Sequence, residues 1–157
     1  MGYSDADFAG DLNTRCSTTG SLFMMYGAAV LWRSRLQRSV ALSTCESELI
    51  ALCETGKLAL WMNELLRALD KKADGSMVIF EDNSAALQIA KTGQRKPANR
   101  HIDVRYFWMH QKVNEKKLEL QKCATQDMLA DILTKALPRD KFEPMRTLIG
   151  VVDVAAL

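Results

Sequence analysis

The chain has 157 residues, 48% of them hydrophobic and 25% charged, which is typical of one globular domain with a sizeable core. This balance excludes extensive disorder, and the sequence has neither a signal peptide nor an apolar run long enough to cross a bilayer. A net charge of +2 does not by itself indicate a nucleic-acid-binding protein. Four cysteines without Cys-x-x-Cys spacing and only two histidines argue against a zinc site. We expect a soluble intracellular protein.

The first half of the chain is predicted to form three strands and one long helix. Apolar stretches at 3–8, 21–26 and 28–32 lie between short polar connections, and this pattern favours an antiparallel meander. The third strand is expected to extend through residues 37–42. Ser43 followed by Glu46 matches a capping box. Apolar residues at helical spacing then predict a long helix that ends before the charged segment 70–76.

The second half alternates strands and helices, with Gly93 and Pro138 as helix terminators. The expected elements are a strand at 77–80, a helix at 85–91, a basic loop at 94–100, a helix at 102–113, a strand at 118–123, a helix at 128–137 and a short last helix at 142–149. A meander followed by such alternation predicts a mixed sheet with helices on its faces. Three tryptophans are expected in the core: Trp32, Trp61 and Trp108.

Four acidic residues lie where predicted strands end or predicted helices begin. They are Asp5 in the first strand, Glu48 in the first turn of the long helix, Asp82 after the fourth strand and Asp131 near the start of the helix that follows the last strand. A buried carboxylate is costly without a partner. Mg²⁺ prefers carboxylate oxygens, and two such ions about 4 Å apart can hold the attacking and leaving oxygens of a phosphodiester. These residue types fit phosphoryl-transfer chemistry.

Each acid also has a purely structural interpretation, and spacing alone does not bring the four together. Asp82 could cap a helix. Glu48 lies in a first helical turn, where the macrodipole favours acids. Asp131 could pair with Lys135 at i,i+4. Asp5 could be a solvated strand residue.

Five blocks of sequence, in order and over nearly the whole chain, closely resemble the ribonuclease H domain of copia-type (Pseudoviridae) LTR retrotransposons. The blocks are Gly2–Asp11 (GYSDADFAGD), Ser43–Leu52 (STCESELIAL), Glu81–Ala86 (EDNSAA), Arg100–Tyr106 (RHIDVRY) and Leu129–Lys135 (LADILTK). The resemblance implies an α/β fold of the ribonuclease H type, with a five-stranded mixed sheet whose strands one to three are antiparallel and with helices on both faces. It implies a domain at 1–150 and a C-terminal tail at 151–157.

The resemblance also implies the site. The family's metal-binding acids fall on Asp5, Glu48, Asp82 and Asp131, which are therefore the expected catalytic and metal-binding residues. Glu48 is preferred to Glu46 because Glu-Leu-Ile-Ala matches the family's helical motif. Asp7 is the chief rival for the first position.

The implied activity is metal-dependent hydrolysis of the RNA strand of RNA–DNA hybrids during reverse transcription, with two Mg²⁺ ions that Mn²⁺ is expected to replace. Cellular ribonucleases H carry a histidine in the loop before the last acid. The matching loop here, 124–128, has none, and copia-type domains share this lack. The helix that carries His101 and His110 could supply a group for proton transfer, but structural roles are expected for both.

The implied partners are the RNA–DNA hybrid and the reverse transcriptase domain of the same polyprotein, with no membrane and no small-molecule substrate. The expected location is the cytoplasm, in virus-like particles. Ser43, Thr44 and Asn83 border the acids and are candidates for contacts to the RNA 2′-OH, although helix capping explains them equally well.

Two basic segments are candidates for gripping the hybrid backbone through salt-dependent contacts. The first contains Arg33, Arg35 and Arg38, and the second contains Arg95, Lys96 and Arg100. Either segment could instead be an ordinary solvated surface.

Two other functions stay open. One is a different nuclease or transferase of the same fold, of the integrase or resolvase type, whose acids are generally fewer or differently placed. The other is a catalytically retired or domesticated module that binds nucleic acid or protein. The presence of all four acids favours an active ribonuclease H.

Overall fold

The structure, a computed structural model, describes residues 1–69, 75–93 and 103–152, which form five strands, four α-helices and two 3-10 helices. In chain order the elements are β1 (Gly2–Asp7), β2 (Thr18–Met25), β3 (Ala28–Leu36), α1 (Thr44–Leu69), β4 (Met77–Glu81), α2 (Ser84–Thr92), α3 (Asp103–Asn114), β5 (Leu118–Lys122), 3-10 helices at Thr125–Asp127 and Leu129–Leu133, and α4 (Arg139–Leu148).

The five strands form one mixed sheet in the order β3-β2-β1-β4-β5. Strands β1, β2 and β3 pair antiparallel, whereas β4 runs parallel to both β1 and β5. The predicted sheet, with its first three strands antiparallel, is confirmed. Because β1 and β4 are parallel neighbours, their carboxyl ends meet at one edge of the sheet.

A hydrophobic core lies on each face of the sheet. Leu22 and Phe23 are successive residues of β2, so their side chains point to opposite faces. Phe23 packs in the larger core with residues of α1, α2 and α3, including Leu49. Leu22 packs in the smaller core with Leu129 and with Met145 of α4. The expectation of helices on both faces is confirmed.

The long helix α1 begins at a cap that differs slightly from the predicted capping box. The Ser43 hydroxyl accepts a hydrogen bond from the Glu46 backbone N–H at 3.1 Å, as predicted. The Glu46 carboxylate accepts from the backbone N–H of Leu42 at 2.8 Å, one residue before the cap. This cap starts a helix of 26 residues. None of the described helices is long and apolar enough to cross a bilayer.

The prediction of a helix at 128–137 is wrong. Leu129–Leu133 form a 3-10 helix instead. This segment lies directly on Gly20 of β2, where an added Cβ would stand 2.9 Å from the Ala130 carbonyl oxygen. The Leu133 carbonyl accepts from the Ser34 hydroxyl at 2.6 Å. Pro138 has no N–H to donate, so a helix that began at residue 128 could not continue through it.

Two smaller expectations also differ from the structure. Strand β3 ends at Leu36, so residues 37–42 do not extend it. Trp32 and Trp61 are exposed, by 63% and 56%, because the first lies on an edge strand and the second on the solvent side of α1, while Trp108 packs against the larger core as expected. Of the tail predicted at 151–157, the structure describes residues 151 and 152, both exposed.

Candidate active site

Three acidic residues from distant parts of the chain meet at the edge of the sheet. Asp5 lies in β1, Glu48 in the second turn of α1, and Asp82 directly after β4. One carboxylate oxygen from each lies within 4.8 Å of the other two. Asp5 and Glu48 are only 1% and 7% exposed. The three carboxylates therefore share one small volume, in which two of them are buried.

The topology explains this convergence. Asp5 and Asp82 come together because β1 and β4 are hydrogen-bonded parallel neighbours. Helix α1 packs across β1 and β2, and its N-terminal turns lie at the same edge. Glu48 is buried there, between Ser47 and Leu49, which are also buried. The helix thus turns Glu48 toward the strand ends rather than toward solvent.

Asp131 lies beside this group, and a lysine links it to the rest. The Lys135 ammonium contacts Oδ1 of Asp131 at 2.9 Å and Oδ1 of Asp5 at 3.1 Å. The Thr134 hydroxyl donates to the other oxygen of Asp5. The sequence left open whether Asp131 pairs with Lys135 at i,i+4, and the structure contains this ion pair. The structure thus brings three of the four expected acids together and joins the fourth through Lys135.

Sequence reasoning missed a fifth acid, Glu81. It is the last residue of β4 and is fully buried. Its Oε1 accepts from the Asn83 backbone N–H at 3.1 Å, while Oε2 has no hydrogen-bond partner among the described residues. The strand was expected to end at Phe80. The alternation of Met77–Glu81 would have revealed that Glu81 follows Ile79 onto the buried face.

Burial and mutual repulsion perturb these acids. Burial, followed by the charges of Glu81, Asp5 and Asp82, raises the pKa of Glu48 to about 10. Burial also raises the pKa of Glu81 well above its usual value. The pKa of Asp131 is raised by burial, against the opposing hydrogen bond from Lys135. An uncompensated cluster of this kind is electrostatically unfavourable and would be relieved by added positive charge.

The donor set fits a hard divalent cation. All of the converging ligand atoms are carboxylate oxygens, the type that Mg²⁺ and Mn²⁺ prefer. Oε2 of Glu48 is buried and has no hydrogen-bond partner among the described residues. A buried carboxylate oxygen without a donor is expensive, and coordination of a cation removes that cost.

Two of the residues that were expected to contact the substrate cap helices. The Ser43 hydroxyl caps α1, and the Asn83 amide oxygen accepts from two backbone N–H groups at the start of α2, each at 3.0 Å. Thr44, the first residue of α1, is exposed. His110 contacts Asn114 at 2.9 Å on α3, which fits its expected structural role.

The first basic segment lines a pocket of about 330 Å³ between β3 and the helices. Arg33, Arg35 and Arg38 are joined there by Arg105 of α3, which sequence reasoning did not single out. Glu54 also lines the pocket, and its carboxylate lies 3.9 Å from the Arg33 guanidinium. The second basic segment, including Arg100, lies outside the described residues, as does His101.

Comparison with known proteins identifies relatives of this chain. The chain is 42% identical over 150 residues to the retrovirus-related Pol polyprotein from transposon TNT 1-94 of Nicotiana tabacum. It is 32% identical over 152 residues to the corresponding polyprotein from transposon RE1 of Arabidopsis thaliana. These alignments cover 96% and 97% of the chain. The chain is a relative of copia-type Pol polyproteins.

The matched segment is a small part of each of these copia-type relatives, since the chain spans 11% and 10% of their lengths. No protein-family model matches the chain. The fold resembles the crystal structure of LC11-RNase H1 in complex with an RNA/DNA hybrid, with a TM-score of 0.59 at 14% identity, covering 85% of this chain and 91% of that one. The chain therefore has the ribonuclease H fold expected from its sequence.

Proposed function

We propose that this domain is a metal-dependent endoribonuclease that hydrolyses the RNA strand of RNA–DNA hybrids during reverse transcription of a retrotransposon. The observation that carries the proposal is the meeting of Asp5, Glu48 and Asp82 within 4.8 Å in a chain of ribonuclease H fold. The relationship to transposon Pol polyproteins and the RNA/DNA hybrid bound by LC11-RNase H1 support the choice of substrate.

In this proposal, Asp5, Glu48, Asp82 and Asp131 hold two Mg²⁺ or Mn²⁺ ions. Bound divalent cations supply an activated water and stabilise the leaving oxygen of the phosphodiester. The carboxylates provide the negative charge that retains the cations, and their burial keeps the oxygens fixed in position. The loop at 124–128 contains no histidine, so no imidazole from this loop assists proton transfer.

The proposed partners are the hybrid and the reverse transcriptase domain of the same polyprotein, and the proposed location is a virus-like particle in the cytoplasm. Neither a membrane nor a small-molecule substrate is part of the proposal. Ser43, Thr44 and Asn83 are proposed to contact the RNA strand through groups that capping leaves free. The Ser43 hydroxyl oxygen accepts one backbone N–H and keeps its second lone pair, while Asn83 keeps the N–H donors of its amide group.

The arginine-lined pocket is proposed to grip the phosphate backbone at a distance from the acids. Removing Arg33 and Arg35 together is expected to weaken hybrid binding at low salt and to reduce the slope of log Kd against log salt by about two, one for each lost phosphate contact. Binding would be measured by fluorescence anisotropy with Ca²⁺ in place of Mg²⁺. An Arg67→Ala, Arg139→Ala variant, with both charges removed from exposed ion pairs elsewhere, is the matched control. An unchanged slope in the Arg33, Arg35 variant would assign the pocket to ordinary solvated surface.

The cleavage assay offers labelled RNA in three contexts: paired with DNA, paired with RNA, and single-stranded. We expect cleavage of the hybrid that requires Mg²⁺ or Mn²⁺, stops with a chelator, and is lost in Asp82→Asn. Asp127→Asn is the matched control because Asp127 lies outside the cluster, in the first 3-10 helix. Cleavage of duplex DNA instead of the hybrid would favour a different nuclease of the same fold. Equal hybrid binding by the wild type and Asp82→Asn without any cleavage would favour a retired binding module.

A further inference from the structure

Lys135 occupies an unusual position for a lysine, since it makes two charge-assisted contacts inside the carboxylate cluster. Its ammonium lies 3.1 Å from Oδ1 of Asp5 and 2.9 Å from Oδ1 of Asp131. Hydrogen bonds between ionised groups are among the stronger ones in proteins. Among the described ion pairs, those of Lys135 alone reach the five clustered acids.

The local backbone holds Lys135 in this position. The Asp131 carbonyl accepts from the backbone N–H groups of both Thr134 and Lys135, at 3.1 and 3.0 Å. This turn places the Lys135 side chain on the same side as the Asp131 carboxylate. The Thr134 hydroxyl engages the second oxygen of Asp5, so both oxygens of Asp5 have partners from this segment.

The cluster is therefore divided into two unequal parts. In the Asp5, Glu48 and Asp82 part, Glu48 and Asp82 have no ion pair among the described residues, and Oε2 of Glu48 has no hydrogen-bond partner there. The Asp5 and Asp131 part already holds one positive charge, the Lys135 ammonium, between its two carboxylates. A divalent ion coordinated to the same Asp131 oxygen would overlap the volume of the ammonium, and the two positive charges would repel each other.

We propose that Lys135 is a resident cation of the carboxylate cluster that makes the two metal positions unequal. Asp5, Glu48 and Asp82 take up a first divalent ion while Lys135 stays in place, and Asp131 accepts a second only after the ammonium has withdrawn. The Lys135 side chain is 37% exposed and carries a flexible four-carbon stem, so it has a route to solvent. This inference rests on the proposed function and concerns the order of metal binding.

The experiment titrates the whole 157-residue chain with Mn²⁺ and measures binding by calorimetry and by the electron paramagnetic resonance signal of free Mn²⁺. The wild type is expected to bind one ion well and a second much more weakly. Lys135→Met, which keeps the length of the side chain and removes its charge, is expected to bind the second ion at least about tenfold more tightly. Lys57→Met, which removes a lysine from an exposed pair with Glu54, should match the wild type.

The Mn²⁺-induced shift of the unfolding temperature provides a readout that a merely structural role would not move. Without metal, Lys135→Met is expected to unfold at a lower temperature because Asp5 and Asp131 lose their shared partner. Saturating Mn²⁺ is expected to raise the unfolding temperature of Lys135→Met more than that of the wild type. If Lys135→Met does not fold, Lys135→Gln, which retains a hydrogen-bond donor, takes its place in both experiments.

The outcomes separate this inference from the proposed function. Two ions bound with the same affinities in wild type and Lys135→Met, with equal Mn²⁺-induced shifts, would overturn the role of Lys135 and leave the nuclease proposal standing. A weak second site in the wild type that tightens in the variant would support it. If neither protein binds Mn²⁺, both the inference and the proposed metal centre are wrong.

Discussion

Asp5→Asn is expected to reduce cleavage of the RNA–DNA hybrid by more than roughly a hundredfold, because even the partners that merely orient metal ligands typically cost 10–100-fold when they are replaced. Asp5 belongs to the group of three carboxylates that lie within 4.8 Å, and it also contacts Lys135. An amide at this position retains the shape of the side chain but lacks the charge that a cation requires. Initial rates on labelled hybrid at saturating Mg²⁺ provide the measurement.

Asp7→Asn is the matched control for Asp5→Asn, because Asp7 is two residues further along the same strand and was the rival candidate for this position. The Asp7 carboxylate accepts from the backbone N–H of Thr18 and lies against Gly10. The Asp7 carboxylate therefore stabilises the turn between β1 and β2. Asp7→Asn is expected to lower stability and to retain most of the activity. The opposite result, with activity lost in Asp7→Asn and kept in Asp5→Asn, would move the site to Asp7.

The metal-free protein is expected to become less stable as the pH rises from about 4.5 toward about 10, the interval over which Glu48 carries its proton in the folded state and releases it in the unfolded state. The sign follows from linkage: a raised pKa means that the folded state binds more protons, so stability falls as protons are withdrawn. Burial raises the pKa of Glu81 in the same direction. Lys135 stays charged over this pH interval. Burial disfavours the charged form of its ammonium, but the hydrogen bonds to Asp131 and Asp5 have the larger effect and raise the pKa of Lys135.

Glu81→Gln should flatten this dependence and raise the free energy of unfolding at neutral pH by about 3 kcal/mol, since the folded wild type must take up a proton at Glu81 at a cost of about 1.4 kcal/mol per pH unit above the ordinary pKa of 4.5. Urea unfolding at several pH values, with a chelator present, would measure both effects. Glu46→Gln provides the control, because Glu46 is a buried carboxylate that accepts the Leu42 backbone N–H. A Glu81→Gln protein with the wild-type slope would show that Glu81 ionises as freely in the folded chain as in the unfolded one.

Much of the fold was predictable because it is encoded by near neighbours in the chain. The Ser43 cap, the apolar spacing of α1 and the left-handed Gly93 at the end of α2 are local features, and the structure has all of them. The 3-10 segment at Leu129–Leu133 was missed because its cause is not local. It depends on Gly20 and Ser34, which are about a hundred residues away in sequence and contact it only in the folded sheet.

The candidate site likewise has features with local causes and features that depend on contacts between distant residues. By itself, the sequence determined which acids stand at the ends of strands and helices, because alternation and helical spacing are set by adjacent residues. Only the tertiary structure decided that Asp5, Glu48 and Asp82 meet, that Glu81 is buried beneath them, and that Lys135 stands between Asp5 and Asp131. The physical reason is that carboxylate positions depend on strand order and helix packing, which arise from contacts between residues far apart in the chain.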